Sequence, residues 1–311
     1  MKILVTGTSG FIAPRLASKL IDMGNRVWGL ERYVTGRTMY KTDERINRVF
    51  GDLSDHLAIR KIVEMLQPEV VFHLAACSPV AYSYERPDEV IRTNYLGTVN
   101  LAESCLRKVD HFKHFIMAGT SEEYGNQKKF PIKETAELNP NSPYSCSKAS
   151  ATTYLKYMHD AFDFPMTICR PFNTYGRIGT THFVVERIIV QCLKSCDYLR
   201  LGDPKPIRDM LYVDDHVNGY IQVFTQPDKS IGETFNFCTG IGISIKELVA
   251  KIQDKTGFNG QVVWNTIPKR PLDIEKLVGD NSKAENILGW IPKYSLDEGL
   301  TLTINEIKRI Y

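Results

Sequence analysis

The first thirteen residues restrict the possible folds more than any other stretch. Lys2-Ile3-Leu4-Val5-Thr6 is a short apolar run rich in β-branched residues, the kind buried on both faces of a parallel sheet. It breaks at Gly7-Thr8-Ser9-Gly10-Phe11-Ile12-Ala13, and an amphipathic stretch continues to about Met23. Gly7 permits a tight turn, Gly10 lets backbone come close to a pyrophosphate, and Ala13 keeps the helix near the sheet. The helix N-terminus adds N–H groups and a positive dipole end. Strand, glycine turn and helix in that order predict a dinucleotide-binding unit, with Gly7, Ser9, Gly10, Phe11 and Ile12 against the cofactor.

The alternation continues. A second strand, Arg26–Leu30, ends at Glu31-Arg32, where such a unit reads the adenosine ribose. A carboxylate there accepts bonds from both ribose hydroxyls and repels a 2′-phosphate, whereas Arg32 and Arg37 could pair with that phosphate. Glu31 occupies the strand end itself, which favours NAD over NADP. Asp52, in the strand Val49–Leu53, is placed to bond the adenine edge, with Leu53 beside it. A helix over Asp55–Met65 and the strand Val70–Ala76 follow, where Leu74, Ala75 and Ala76 are small enough to pass a cofactor or to pack a helix closely. One long helix is expected over Pro87–Lys108, strands over His114–Ala118 and Met166–Arg170, and a helix from Tyr144 to about Ala161. The order predicts an α/β fold, a Rossmann-type doubly wound parallel sheet with ligands at the strands' carboxyl ends.

Past Arg170 the pattern loosens into a helix over His182–Leu193 and a strand over Arg208–Asp215 that enters a helix at His216. A strand over Thr234–Cys238 and a helix capped by Ser244 and reaching Ile252 come next. The expected division is a cofactor domain of residues 1–170 plus about 205–235. A smaller, interleaved α/β substrate domain takes about 171–204 and 236–311.

Bulk properties narrow the partners. The 311 residues carry a formal charge of +3 with both signs mixed along the chain, which suits a phosphate-bearing small ligand and shows no nucleic-acid stripe. No run approaches membrane-spanning length. The seven cysteines are scattered without zinc or redox spacing, and Cys192 and Cys196 read as buried. With no signal peptide in view, a reducing cytoplasm is expected and no metal site.

The chemistry concentrates between His114 and Lys148. The strand His114–Ala118 ends in Gly119-Thr120-Ser121-Glu122-Glu123-Tyr124-Gly125, and Asn141-Ser142-Pro143-Tyr144-Ser145-Cys146-Ser147-Lys148 opens a helix. Tyr144 and Lys148 lie i, i+4 on one face. An ammonium beside a phenol favours phenolate, so this Tyr could take a proton from a sugar hydroxyl as hydride leaves the same carbon, while Lys148 also bonds the nicotinamide ribose. Thr120 would bond the same hydroxyl. Glu122 is a second base able to remove a proton alpha to a ketone, or else a carboxylate that orders the loop. Strand alternation turns Glu123 away.

These motifs, with Gly51-Asp52, His73-Leu74-Ala75-Ala76, Asn94, Arg170-x-x-Asn173-x-Tyr175-Gly176, Arg208-Asp209 and Arg270-Pro271, resemble the extended short-chain dehydrogenase/reductase superfamily. The resemblance covers essentially the whole chain and falls in the nucleotide-sugar epimerase/dehydratase branch. Thr120-Ser121-Glu122 is similar to the Thr-Ser-Glu of GDP-mannose 4,6-dehydratases, where dTDP-glucose dehydratases carry Thr-Asp-Glu. Gly36-Arg37 and residues 179–188 resemble the GDP-mannose enzymes more loosely. The resemblance implies a 4,6-dehydratase that oxidises C4 with NAD(P)+, eliminates water across C5/C6 and returns hydride to C6. It implies that Asn173, Arg208 and Arg270 hold the nucleotide diphosphate, with Ser78, Thr120 and Ser121 at the sugar. It also implies a homodimer built as a four-helix bundle from the helices at Pro87–Lys108 and Tyr144–Ala161. Related 4-keto-6-deoxy-mannose reductases carry a similar Ser-Ser-Glu-Glu-Tyr-Gly, and UDP-glucuronate decarboxylases share Thr-Ser-Glu. A 4-epimerase would leave Glu122 idle, and a catalytically silent NAD(P)-binding regulator would not need Thr120, Tyr144 and Lys148. Ala13 stands where the third Gly is usual, Arg177 where Pro is usual, and Glu31 where GDP-mannose dehydratases commonly have Arg.

Overall fold

The computed structural model describes residues 1–32, 43–194 and 197–310. Gly36, Arg37 and Cys196, singled out above, lie outside the described residues.

Six strands follow the glycine-turn pattern: β1 (Lys2–Thr6), β2 (Arg26–Glu31), β3 (Asn47–Phe50), β4 (Val70–His73), β5 (His114–Ala118) and β6 (Met166–Pro171). The chain then makes β7 (Asn173–Tyr175), β8 (Tyr198–Arg200) and β9 (Ile207–Tyr212) before β10 (Thr234–Phe237). The central sheet has seven parallel strands in the order β10-β6-β5-β4-β1-β2-β3. Its inner strands β1, β4, β5 and β6 are buried almost throughout because helices cover both faces, whereas the edge strand β3 is largely exposed. Ile3 and Val5 of β1 join a core with Leu16, Leu20, Val217 and Val223, from the helices Ile12–Asp22 and Val213–Thr225. Leu4 between them faces the opposite core with Ile59, Leu101 and Leu155, from the helices His56–Leu66, Gly97–Lys108 and Pro143–Phe162. This is the two-residue alternation of a strand serving two layers.

The second unit is a small sheet. β9 pairs antiparallel with β11 (Gly242–Ser244) and parallel with β7 and with β13 (Lys276–Leu277), while β12 (Gln261–Val263) pairs with β8. A third core of Tyr124, Ile132, Phe172, Cys238, Ile274 and Leu277 joins this sheet to the loop after β5. β9 thus pairs in the small sheet, while the helix Val213–Thr225 packs on the core of β1 and β10 pairs with β6 in the central sheet.

One local expectation changes. The stretch Pro87–Lys108 is not uniform: a π-helical turn, Arg92–Leu96, separates Pro87–Ile91 from Gly97–Lys108. Such turns widen the helix by one residue and recur at functional sites. Here the turn carries buried Asn94, whose amide donates to the Cys77 carbonyl at 3.2 Å and to Ser147 Oγ at 3.1 Å. The short strands β7, β8, β11, β12 and β13 carry no periodicity long enough to read.

Candidate active site

β5 runs out at Ala118, and Gly119 follows where a Cβ would stand 3.0 Å from Glu123 Oε1 and from Ile168 Cγ2. Thr120 is extended, and Ser121–Tyr124 closes as one 3₁₀ turn that Thr120 caps. Thr120 Oγ1 accepts the Glu122 N–H at 3.2 Å, and Glu123 Oε1 accepts the Thr120 N–H at 3.1 Å. Glu123 does turn away from the cavity, but the turn and not strand alternation directs it, and it is fully buried.

Twenty residues on, Ser142 and Ser145 cap each other reciprocally, with Pro143 in the first helical turn. This fixes the entry of the helix Pro143–Phe162 and sets Tyr144 and Lys148 one turn apart. Burial pushes the Tyr144 phenol well above its ordinary value, and the Glu122 and Glu123 carboxylates add to the rise, while the Thr120 hydroxyl and the Arg177 guanidinium pull it down. Lys148 is not among the leading influences on this phenol. Lys148 is itself 2% exposed, and burial lowers its ammonium to about 8 against the opposing pull of Glu123.

These residues stand on one wall of a cavity of about 670 Å³ between the two sheets, a size ordinary for a cofactor and substrate site. Its other walls include Gly7, Ser9, Gly10, Phe11 and Ile12, then Arg32, Asp52 and Leu53, then Leu74, Ala75 and Ala76. The glycine turn is shaped for close approach. Gly7 has φ +83°, and a Cβ there would lie 3.0 Å from Ala75 Cα; one on Gly10 would lie 3.0 Å from the Gly7 carbonyl oxygen. No side chain caps the helix that follows. The turn therefore fits the phosphates of a dinucleotide.

Glu31 is placed otherwise than expected. It is 2% exposed, accepts the Thr8 hydroxyl at 2.9 Å and an ion pair from Arg48, and is absent from the cavity wall. Thr8 and Arg48 take up the carboxylate expected at the ribose, so a preference for NAD does not rest on it. Arg32 is on the wall and pairs with Glu89 at 3.5 Å. Asp52 accepts the Ser54 N–H and hydroxyl at 2.8 and 2.7 Å.

At the other end, Ser78, Ser121, Asn173, Arg208 and Arg270 all line the cavity. Arg208 and Arg270 share Asp273, at 3.7 and 3.1 Å. Burial works against the Arg208 charge, and the Glu122 and Asp273 carboxylates support it. Asn173 Oδ1 is buried without a hydrogen-bond partner among the described residues, which is costly unless a ligand supplies the donor. Glu122 is half-buried on the same wall. Among the described residues no cluster of His, Cys, Asp or Glu could hold a metal ion, and no helix is long and apolar enough to cross a membrane.

Sequence reasoning missed three wall residues. Arg177, noted only as a departure from Pro, lies 4.5 Å from the Phe11 ring and 3.8 Å from the Phe183 ring, joining the glycine turn to the loop before the helix Val184–Lys194. His216 bonds Thr174 Oγ1 at 2.9 Å. Asp273 follows Arg270 by three residues, a spacing that reads as an ion pair only once a turn is known.

Residues 4–303 match the family described as GDP-mannose 4,6 dehydratase. A UDP-glucose 4-epimerase of Mycolicibacterium smegmatis is 30% identical, over 98% of this chain and 97% of its own. Among solved structures, the UDP-glucose 4-epimerase of Thermotoga maritima with UDP-glucose superposes with TM-score 0.92 at 32% identity, covering 100% of this chain and 99% of its own. The UDP-glucuronic acid 4-epimerase of Bacillus cereus, with UDP-glucuronic acid and NAD, gives TM-score 0.89 at 27% identity with complete coverage of both chains. Dehydratases and UDP-glucuronic acid decarboxylases also match, at 28–30% identity.

Proposed function

Since the chain belongs to the GDP-mannose 4,6 dehydratase family, in the nucleotide-sugar epimerase/dehydratase branch of the extended short-chain dehydrogenases/reductases, we propose that it is a nucleotide-sugar 4,6-dehydratase of the GDP-mannose type. The observation that carries this reading is Glu122, a carboxylate on the same cavity wall as Thr120 and Tyr144. An enzyme that only oxidises and re-reduces C4 has no work for it.

The residues at the glycine turn, with Arg32, Asp52 and Leu74–Ala76, would hold NAD or NADP. When bound, the nicotinamide supplies the oxidant for C4 and the reductant for C6. Tyr144 takes the proton of the C4 hydroxyl, and Thr120 bonds the same oxygen. Glu122 takes the C5 proton, which the adjacent ketone makes acidic, and gives it to the C6 hydroxyl, which leaves as water; once C6 has received the hydride, C5 takes up one proton, replacing the one that Tyr144 removed from the C4 hydroxyl. Asn173, Arg208 and Arg270 hold the nucleotide diphosphate. The guanidinium fork suits a diphosphate, to which the Asn173 amide N–H can donate, while the unpartnered Asn173 oxygen can accept only from a hydroxyl or N–H elsewhere on the nucleotide sugar.

Mass spectrometry of the purified protein incubated with GDP-mannose, UDP-glucose and dTDP-glucose tests this. Loss of 18 mass units, one water, without net cofactor consumption is expected. A product of unchanged mass and altered configuration would make it a 4-epimerase instead. The variant Glu122→Gln should still reduce bound cofactor at 340 nm while water loss falls about 10²–10⁴-fold. Normal turnover by that variant refutes the role of Glu122.

One observation favours a second reading. The Tyr144 phenol is held protonated by burial, the state in which it could give a proton to a C4 ketone. A 4-keto-6-deoxy sugar-nucleotide reductase would consume one NAD(P)H per sugar, and that stoichiometry would replace the dehydratase reading.

The same reading includes a homodimer. Ile91 and Leu96, on the π-kinked helix, and Tyr157 and Phe162, on its neighbour, are 43–51% exposed, an apolar face suited to a second copy. A one-chain mass in sedimentation equilibrium would refute it.

A further inference from the structure

Glu123 is not on the cavity wall, yet it is bonded to three elements that carry the proposed chemistry. Its Oε1 accepts the Thr120 N–H at 3.1 Å. Its Oε2 accepts the Thr152 hydroxyl at 3.1 Å and Arg170 Nε at 3.0 Å. Thr152 lies one turn beyond Lys148 on the same helix, and Arg170 lies on β6. Arg170 also donates to the Tyr124 hydroxyl at 3.0 Å, and Tyr124 donates to Asn236 on β10 at 2.8 Å. Glu123 is 0% and Arg170 1% exposed. A buried ion pair loses the hydration of two charges, and an apolar pair of similar size is often as stable or more so. Stability alone does not account for this one.

Glu123 from the 3₁₀ turn and His73 from β4 interact with the Lys148 charge, and Tyr144 stands one turn before it on the same helix. His73 is fully buried, between the hydroxyls of Thr6 and Thr98, and burial keeps its ring neutral. Of the three, only Glu123 is a carboxylate. We propose that Glu123 is a positioning residue of the reaction: it holds Thr120 and the Glu122-bearing turn against the helix Pro143–Phe162, and it faces Lys148 with a negative charge that Arg170 fixes in place. This rests on Tyr144 and Lys148 being the proton-transfer pair of the proposed function. Next to Glu122, which would act on substrate, Glu123 would act through Thr120 and Lys148.

Replacing Glu123 by Gln keeps an oxygen for the Thr120 N–H and removes the charge. Lys148 is read directly by NMR titration of protein carrying ¹³Cε-labelled lysine, its signal identified by its loss in Lys148→Met. In Glu123→Gln the Lys148 ammonium should titrate about one pH unit lower than in the unaltered protein. The alkaline limb of the pH–rate profile should move down by the same amount. A folded Glu123→Gln protein whose Lys148 titrates unchanged overturns the proposal, as does a uniform loss of rate with the limb in place. If the unpaired Arg170 unfolds the single variant, Glu123→Gln/Arg170→Met removes both charges and carries the same expectation. The titration needs no substrate, so a failed dehydratase reading shows only in the mass spectra and a failed role for Glu123 only here.

Discussion

Replacing Lys148 by Met should give a protein that is more stable and inactive. Burial lowers the Lys148 ammonium from an ordinary 10.5 to about 8, a difference of about 3 kcal/mol at about 1.4 kcal/mol per pH unit. Below pH 8 the ammonium is charged in both the folded and the unfolded chain, and the folded protein bears the full desolvation cost. Between pH 8 and 10.5 the unfolded chain holds one more proton than the folded one, so stability rises with pH. Above that range both forms are neutral and the cost is gone. Methionine occupies similar volume without a charge and lacks this slope. Urea denaturation across a pH series measures it, because every other titrating group appears in both proteins and cancels in the difference. At pH 7 Lys148→Met should exceed the unaltered protein by about 3 kcal/mol, and the gap should close toward pH 10.5. A difference that is constant across that range, or of opposite sign, refutes the account of Lys148 as a charge held in an unfavourable place.

Two further outcomes test the scaffold. Gly7→Ala puts a Cβ against Ala75 at a φ of +83°, so the dissociation constant for NADH in a fluorescence titration should rise about tenfold or more. Unchanged affinity would remove the glycine turn from the cofactor site. Trp290 is fully buried, meets the Phe237 ring edge-on with centroids 4.9 Å apart, and donates to the Asp215 carbonyl at 3.1 Å. Trp290→Ala should cost about 3–5 kcal/mol in urea unfolding, and a cost under about 1 kcal/mol would mean that the surroundings collapse into the gap.

Much of the first unit was legible because its signals are local. β1 and β5 have the ends read from their apolar runs, and Ser244 caps the helix Ile245–Thr256 as its spacing to Glu247 implies. Nearly all the expected site residues line one cavity because in a doubly wound sheet the strand ends converge. The misses share a cause. The fate of Glu31 depends on Thr8 and Arg48, 23 residues before it and 17 after it, and no period links such distant partners. The π turn around Asn94 is set by bonds to Cys77 and Ser147, again from other elements. The state of Tyr144 follows from how deeply the helix is covered, which a spacing of four residues does not carry. Arg177 gave a signal as an odd residue, but its two aromatic neighbours come from separate loops.

The position of β10 at the edge of the central sheet, beside β6, has a consequence for how the chain must be made. More than sixty residues separate the two strands, and β7, β8 and β9, none of them in the central sheet, are spelled out between them. Until residue 237 has left the ribosome, β6 has an open flank of unpaired backbone, the feature that invites strand addition from another chain. The Glu123–Arg170–Tyr124 network also lacks Asn236 until then. Pairing so late raises contact order and slows folding. Cutting the chain after β6, where the regular alternation of strands and helices stops, should therefore yield an aggregating fragment, not a small cofactor-binding protein.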